Sequence, residues 1–319
     1  MKREFFYPSA DGETKIHGVE WIPEGGVKAV LQISHGMVEY IDRYDGFASW
    51  LAEKGWYVTG NDHLGHGKSV TSEEKYGFFH VPDGNACVIR DIHTLREHAG
   101  DRYPGVPYFM LGHSMGSFLL RQYLLRHGRG LAGAVIMGTG DKGVPVLCAG
   151  QLLCRLLAAV KGWSYRSRLI DRLGLGGYNR SFEPCESRRE WVTSDTRMRE
   201  KYEADPLCSF TFTVNGYYQM FEGMKKISGK RGALRIPRTL PVLFVSGQKD
   251  PVGNFGKTVE KLFQMYKEAG VRDVSIRLYE NDRHEVLNEQ DRQQVYEDLY
   301  EWMDEHIVRR EEKNEAFRN

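Results

Sequence analysis

The 319-residue chain has almost no net charge, with 44 Lys and Arg against 43 Asp and Glu for a formal +1. That balance excludes a global field drawing the molecule to nucleic acid or to an anionic membrane, so its partner is uncharged or only locally charged. Paired cysteines are also lacking. The five present, Cys87, Cys148, Cys154, Cys185 and Cys208, include no CxxC pair and no metal-ligand spacing. This excludes a disulfide framework and fits reduced thiols in a cytoplasm. His35, His63, His66 and His113 sit beside glycines in loops without acidic ligands at suitable spacing, so they read as structural hydrogen-bonders and no metal or cofactor is called for. The N-terminal Met-Lys-Arg-Glu-Phe-Phe-Tyr-Pro has no apolar core for a signal peptide, and no unbroken run of 18 apolar residues follows. The expectation is a soluble, cytoplasmic protein.

What is present is an alternation of strand and helix. Residues 4–8 and 15–22 read as an opening antiparallel hairpin about Ser9-Ala10-Asp11-Gly12. Val27 to Ser34 is a stronger strand, ending in the tight turn His35-Gly36-Met37, and Tyr44 to Lys54 follows with helical spacing. Trp56 to Thr59 is a strand leading into the glycine-punctuated loop Asn61 to Ser69, and Asn85 to Ala99 is helical. Tyr108 begins another strand, Ser117 to about His127 a helix, and Ala134 to Met137 one more buried strand. This order predicts an α/β fold with a mostly parallel sheet and helices on both faces. From Gly138 the rhythm changes, and no clean strand occurs for about a hundred residues. The predicted organisation is a core over 1–140 and 238–308, a helical cap inserted at 141–237, and a frayed charged tail over 309–319. Within the insertion Val146 to Val160 is strongly apolar, with only Gln151 and Arg155 to wet it, and helical or turn segments are expected over Trp191 to Tyr202 and Thr211 to Met224. The rhythm resumes with strands at Leu240 to Ser246 and Val274 to Tyr279, helices at Phe255 to Gly270 and from Asn288 to about Ile307.

Chemistry concentrates where strands end. Tyr108 to Gly116 reads as a strand, a sharp turn and a helix, with Ser114 between Gly112 and Gly116 at the tip. Such a turn lifts a serine hydroxyl clear of the sheet and aims the next backbone N–H at a developing oxyanion. Serine needs a base and a carboxylate to hold that base in the right tautomer. Asp250 and His284 each follow a strand, so a parallel sheet brings them to the edge of Ser114. Asp282 and Glu285 compete as acids but adjoin the histidine in sequence; His306 competes as base but lies deep in the last helix. The N–H groups of Met37 and Met115 are the candidate oxyanion donors.

Several stretches together carry a resemblance: His35-Gly36-Met37-Val38-Glu39 with Arg43-Tyr44, Asp62-His63 with Gly65-His66-Gly67 and Ser69, Gly112-His113-Ser114-Met115-Gly116, Asp250-Pro251-Val252, and Arg283-His284-Glu285. The chain resembles the monoacylglycerol lipase and lysophospholipase branch of the α/β-hydrolases, relatives of which are often called serine aminopeptidases. The resemblance spans nearly all of residues 15 to 307. It implies a Ser114, Asp250, His284 triad, an oxyanion hole at Met37 and Met115, and a cap admitting one fatty-acyl chain. The expected substrate is a small-molecule acyl ester, with no nucleic-acid partner and transient membrane-surface contact through the cap; the oligomeric state is not legible. Rival readings are a small-ester carboxylesterase, an aminopeptidase or amidase using Glu183, Glu186 or Glu190 for a substrate ammonium, and a non-catalytic lipid binder.

Overall fold

The computed structural model describes residues 1–185 and 187–316, with 311 and 313–316 described by backbone alone. Strands β1 (Lys2–Pro8) and β2 (Lys15–Trp21) form the predicted hairpin. Its turn is held by the Asp11 carboxylate, which accepts from Glu13 N, Thr14 N and Thr14 Oγ1 at 2.9, 2.8 and 2.7 Å. The remaining strands are β3 (Ala29–Ser34), β4 (Trp56–Asn61), β5 (Tyr108–His113), β6 (Gly133–Met137), β7 (Val242–Gly247) and β8 (Val274–Tyr279). All eight join one sheet in the order β1-β2-β4-β3-β5-β6-β7-β8, antiparallel only at β1–β2 and β2–β4.

Strands β3 to β7 are buried at every residue. That is why their sequences read as apolar runs rather than alternating ones. Val30, Met110, Ile136 and Phe244 meet α2 (Gly84–Arg102), α3 (Met115–His127) and α9 (Lys257–Glu268) on one face. Leu31, Leu111, Val135 and Val245 meet α1 (Asp45–Glu53) and α10 (Arg292–Ala316) on the other.

Between β6 and β7 the described residues contain no strand, only α4 (Val144–Lys161), α5 (Arg168–Gly174), α6 (Thr196–Ala204), α7 (Val214–Ile227), α8 (Gly229–Ala233) and short 3-10 turns. Capping sets where these helices start. Asp195 accepts from Arg197 N and Met198 N at 3.0 and 3.2 Å, and Thr213 Oγ1 from Gly216 N at 3.1 Å. So α6 begins after Asp195 rather than at Trp191, and α7 after Thr213 rather than at Thr211. At the C-terminus, Val286–Asn288 form a 3-10 turn and α10 starts only at Arg292. It then continues to Ala316, through most of the segment predicted to fray, where Arg309 pairs with Glu305 one turn back and with Asp273 at 3.3 Å. Residues 317–319 of that predicted tail lie outside the described residues.

Helix α4 departs most from its pattern. Gln151 is buried, donating to Tyr218 O at 3.3 Å and Glu222 Oε2 at 3.1 Å on α7, beside buried Leu147 and Cys154. Leu152, Leu156 and Val160 instead face outward, 58%, 59% and 79% exposed. The helix is long and apolar enough to cross a membrane by length and composition alone, yet one of its faces lies against α7.

Candidate active site

The turn from β5 into α3 places Ser114 at φ 53° and ψ −119°, a left-handed backbone that costs a non-glycine residue roughly 1–3 kcal/mol. Neighbouring glycines let the surrounding structure hold it there. A Cβ on Gly116 would collide with the carbonyl oxygens of Ser34 and His35, and one on Gly112 would run into the backbone of Gly116. A Cβ on Gly36 would lie 3.0 Å from that of Ser114. The Ser114 N–H is tied to Met137 O at 3.0 Å, locking the turn to β6.

Asp250 follows β7 and His284 follows β8, and both are buried. His284 Nδ1 donates to Asp250 Oδ2 at 2.9 Å, while Val252 N donates to Asp250 Oδ1 at 2.8 Å. With its proton held on Nδ1, the imidazole presents the Nε2 lone pair. That nitrogen is buried and has no hydrogen-bond partner among the described residues. Ser114, His284, Met37 and Met115 all line one cavity of about 460 Å³, whose far wall is α4 and α7. No hydrogen bond joins Ser114 to His284 among the described residues; such bonds tighten when substrate arrives. The Met37 N–H has no acceptor among the described residues, and Met115 opens α3, where helix N–H groups lack intrahelical partners.

The competing residues are placed elsewhere. Glu285 holds Arg43 through two bonds of 2.6 and 2.7 Å. Burial, then Asp291 and Glu289, push the Asp282 carboxyl well above the usual carboxylate range, away from the charged form that would hold an imidazole. His306 bonds Trp302 O and Asp273 at 2.6 and 3.0 Å. Glu190 is shared by Arg199 and Arg283, both at 2.8 Å, Glu183 is exposed, and Glu186 lies outside the described residues.

Sequence reasoning missed the network behind His284. Glu39 Oε1 accepts from Tyr44 OH at 2.9 Å, from His113 Nδ1 at 3.1 Å and from Gly36 N, and Oε2 accepts from Arg43 at 3.0 Å. His113 Nε2 donates to the backbone oxygen of His284 at 3.2 Å. Burial opposes charge on His113, yet with acceptors on both nitrogens the Glu39 carboxylate prevails and its pKa is raised. Glu39 is held well below the usual carboxylate range, burial notwithstanding, by His113 and Arg43. The signal available was the i, i+4 spacing of Glu39 and Arg43.

The other loop histidines are structural, as predicted. His35 Nε2 accepts from His63 N at 2.9 Å, His63 Nε2 meets Ser34 Oγ at 3.0 Å, and His66 Nδ1 donates to Leu64 O at 3.0 Å. Burial, followed by the neighbouring His35, pushes His66 down to about 3.

The insertion reaches back to the histidine. Trp191 O accepts from His284 N at 3.4 Å, Val192 O from Glu285 N at 2.8 Å, and Asn288 O from Thr193 Oγ1 at 3.1 Å. The buried Glu289 carboxylate accepts from Ser194 N at 3.0 Å and Arg283 N at 2.9 Å. The Trp191 ring packs on the His284 imidazole with centroids 5.0 Å apart.

A family model described as "Serine aminopeptidase, S33" matches residues 25–291. A monoacylglycerol lipase of Mycolicibacterium smegmatis is 26% identical over 310 residues, which cover 96% of this chain and 98% of that protein. A human monoglyceride lipase is 25% identical, over 84% of this chain and 79% of its own length. Among solved structures, a highly thermostable carboxyl esterase from Bacillus coagulans in complex with glycerol aligns with a TM-score of 0.90 at 27% identity, covering 96% of this chain and 99% of the other.

Proposed function

This chain belongs to the serine aminopeptidase S33 family, in the monoacylglycerol lipase-like branch of the α/β-hydrolases, and from that premise we propose a serine hydrolase of single-acyl-chain lipid esters. It is a carboxylic ester hydrolase, and the finer reading is its substrate, a monoacylglycerol or lysophospholipid. One observation carries the mechanism: His284, held by Asp250 at 2.9 Å and with its Nε2 unpartnered, lines the same cavity as Ser114. His284 takes the Ser114 proton as Oγ attacks the ester carbonyl. The N–H groups of Met37 and Met115 receive the oxyanion, each such donor being worth about 100- to 1,000-fold in rate. His284 then protonates the departing alcohol, and the acyl-enzyme is hydrolysed by water that His284 activates.

The acyl chain lies along the apolar wall of α4 and α7, where Leu147, Leu153, Phe221 and Met224 line the cavity. The outer face of α4, with Leu152, Leu156 and Val160 exposed and Lys142 and Lys161 near its ends, supports docking on a lipid surface that opens into the same cavity. An aminopeptidase would need a free carboxylate for the substrate ammonium, and Glu190 is already committed to two arginines.

The test is hydrolysis of a 1-monoacylglycerol and an aminoacyl amide by the wild type and Ser114→Ala. The expected result is release of fatty acid from the ester, at least 10³-fold slower in the variant, with unchanged circular dichroism. Undiminished ester cleavage by Ser114→Ala removes the assignment.

A further inference from the structure

The cavity has two unlike ends. Toward α4, α5 and α7 it is mostly hydrocarbon, with Asp141 and Lys142 at the head of α4; Trp191 packs on His284 with Tyr178 against it, and Tyr202 and Arg189 complete the wall on that side. Because His284 must protonate the leaving oxygen, the alcohol part of the substrate lies at this second end. The residues there read the head group.

Charges around that end are nearly all spoken for. Arg43 serves Glu39 and Glu285, His113 serves Glu39, and Arg199 and Arg283 share Glu190. At the other end, Asp171 on α5 accepts from Tyr217 OH at 2.7 Å. Arg189 differs: half-buried at the cavity wall, it forms no ion pair among the described residues, and its guanidinium rests over the Tyr202 ring at 5.5 Å. Arg199 and Arg283 are both paired with Glu190, which leaves Arg189 as a cavity-wall guanidinium without a carboxylate partner among the described residues. A partly desolvated guanidinium in such a place favours an anion, and its planar fork matches phosphate oxygens in bidentate geometry.

We infer that Arg189 is a head-group site that selects single-acyl esters whose alcohol carries a phosphate. The inference rests on the ester-hydrolase reading above and narrows its substrate class. Arg189 contributes by binding the phosphate while the Ser114 and His284 chemistry stays the same.

The experiment compares 1-acylglycerol with 1-acylglycerol 3-phosphate of the same chain length, as kcat/KM, in the wild type, Arg189→Met and Arg189→Lys. Methionine keeps the apolar stem, and lysine keeps the charge without the fork. The expected result is a wild-type preference for the phosphate ester that falls roughly 10- to 100-fold in Arg189→Met, the loss typical of a charged hydrogen bond, with partial recovery in Arg189→Lys. Because each protein is its own control, a general loss of folded enzyme leaves the ratio unchanged. Equal ratios in the wild type and Arg189→Met, or a wild-type preference for the neutral ester, overturn the head-group site while leaving the hydrolase reading intact. Failure of the wild type to cleave either ester overturns both.

Discussion

Asp250 has one oxygen on the imidazole and the other on a backbone N–H, so in the proposed mechanism its role is orientation as much as charge. Asp250→Asn keeps the size but can hold His284 in the wrong tautomer. We expect kcat on an acyl ester to fall about 10⁴-fold with little change in melting temperature, and a loss below tenfold would contradict the role. His66 makes a different prediction. It is buried and neutral, with its Nε2 unpartnered and its pKa pushed down to about 3, whereas an unfolded histidine titrates near 6.5. Between those values the unfolded chain binds a proton that the native site refuses. Stability from this site is therefore complete above about pH 6.5 and declines as pH falls, by about 1.4 kcal/mol per pH unit, until about pH 3. His66→Gln should be less stable than the wild type at pH 7, and urea titrations should show that gap closing or reversing by pH 4.5. A gap independent of pH would mean that His66 titrates alike in the folded and unfolded chain. At this scale the sequence was legible where local geometry is diagnostic, as at Ser114 between its glycines. It did not show the bonds of Glu39 and His113, whose partners arrive from the turn before α1, from β5 and from the loop after β8.

Elements were legible wherever burial is uniform. The apolar runs of β3 to β7 announce themselves because both faces are covered, and the starts of α6 and α7, missed by a few residues, are set by the side-chain caps Asp195 and Thr213. Helix α4 was legible as a helix but not in its orientation, since composition does not reveal that Gln151 faces in and the leucines face out. That orientation is testable. Leu152 and Leu156 are more than half exposed, so replacing both with serine removes little packing. Each leucine buried in a lipid interface contributes on the order of 1–2 kcal/mol, so the double variant should bind phospholipid vesicles at least tenfold more weakly in a sedimentation assay. Its hydrolysis of a short, water-soluble ester should stay within twofold of the wild type. Unaltered vesicle binding would remove α4 as the docking face.

For the molecule as a whole, the alternation of elements was enough to foresee the sheet and the edge at which Ser114, Asp250 and His284 gather. It could not foresee that the insertion is bonded to the histidine loop, because His284 and Glu285 pair with Trp191 and Val192 through backbone atoms that leave no mark in composition, and the Thr193 hydroxyl reaches Asn288 O across 95 residues. This junction bears on how far the fold is modular. Residues 190 to 195 sit inside the predicted cap, yet they supply the backbone partners of His284 and Glu285 and the donors that satisfy Glu289. A chimera taking its whole insertion from another hydrolase would import a foreign seat for its own His284. The graft boundary that respects the His284 loop runs inside the insertion, on either side of Glu190–Asp195.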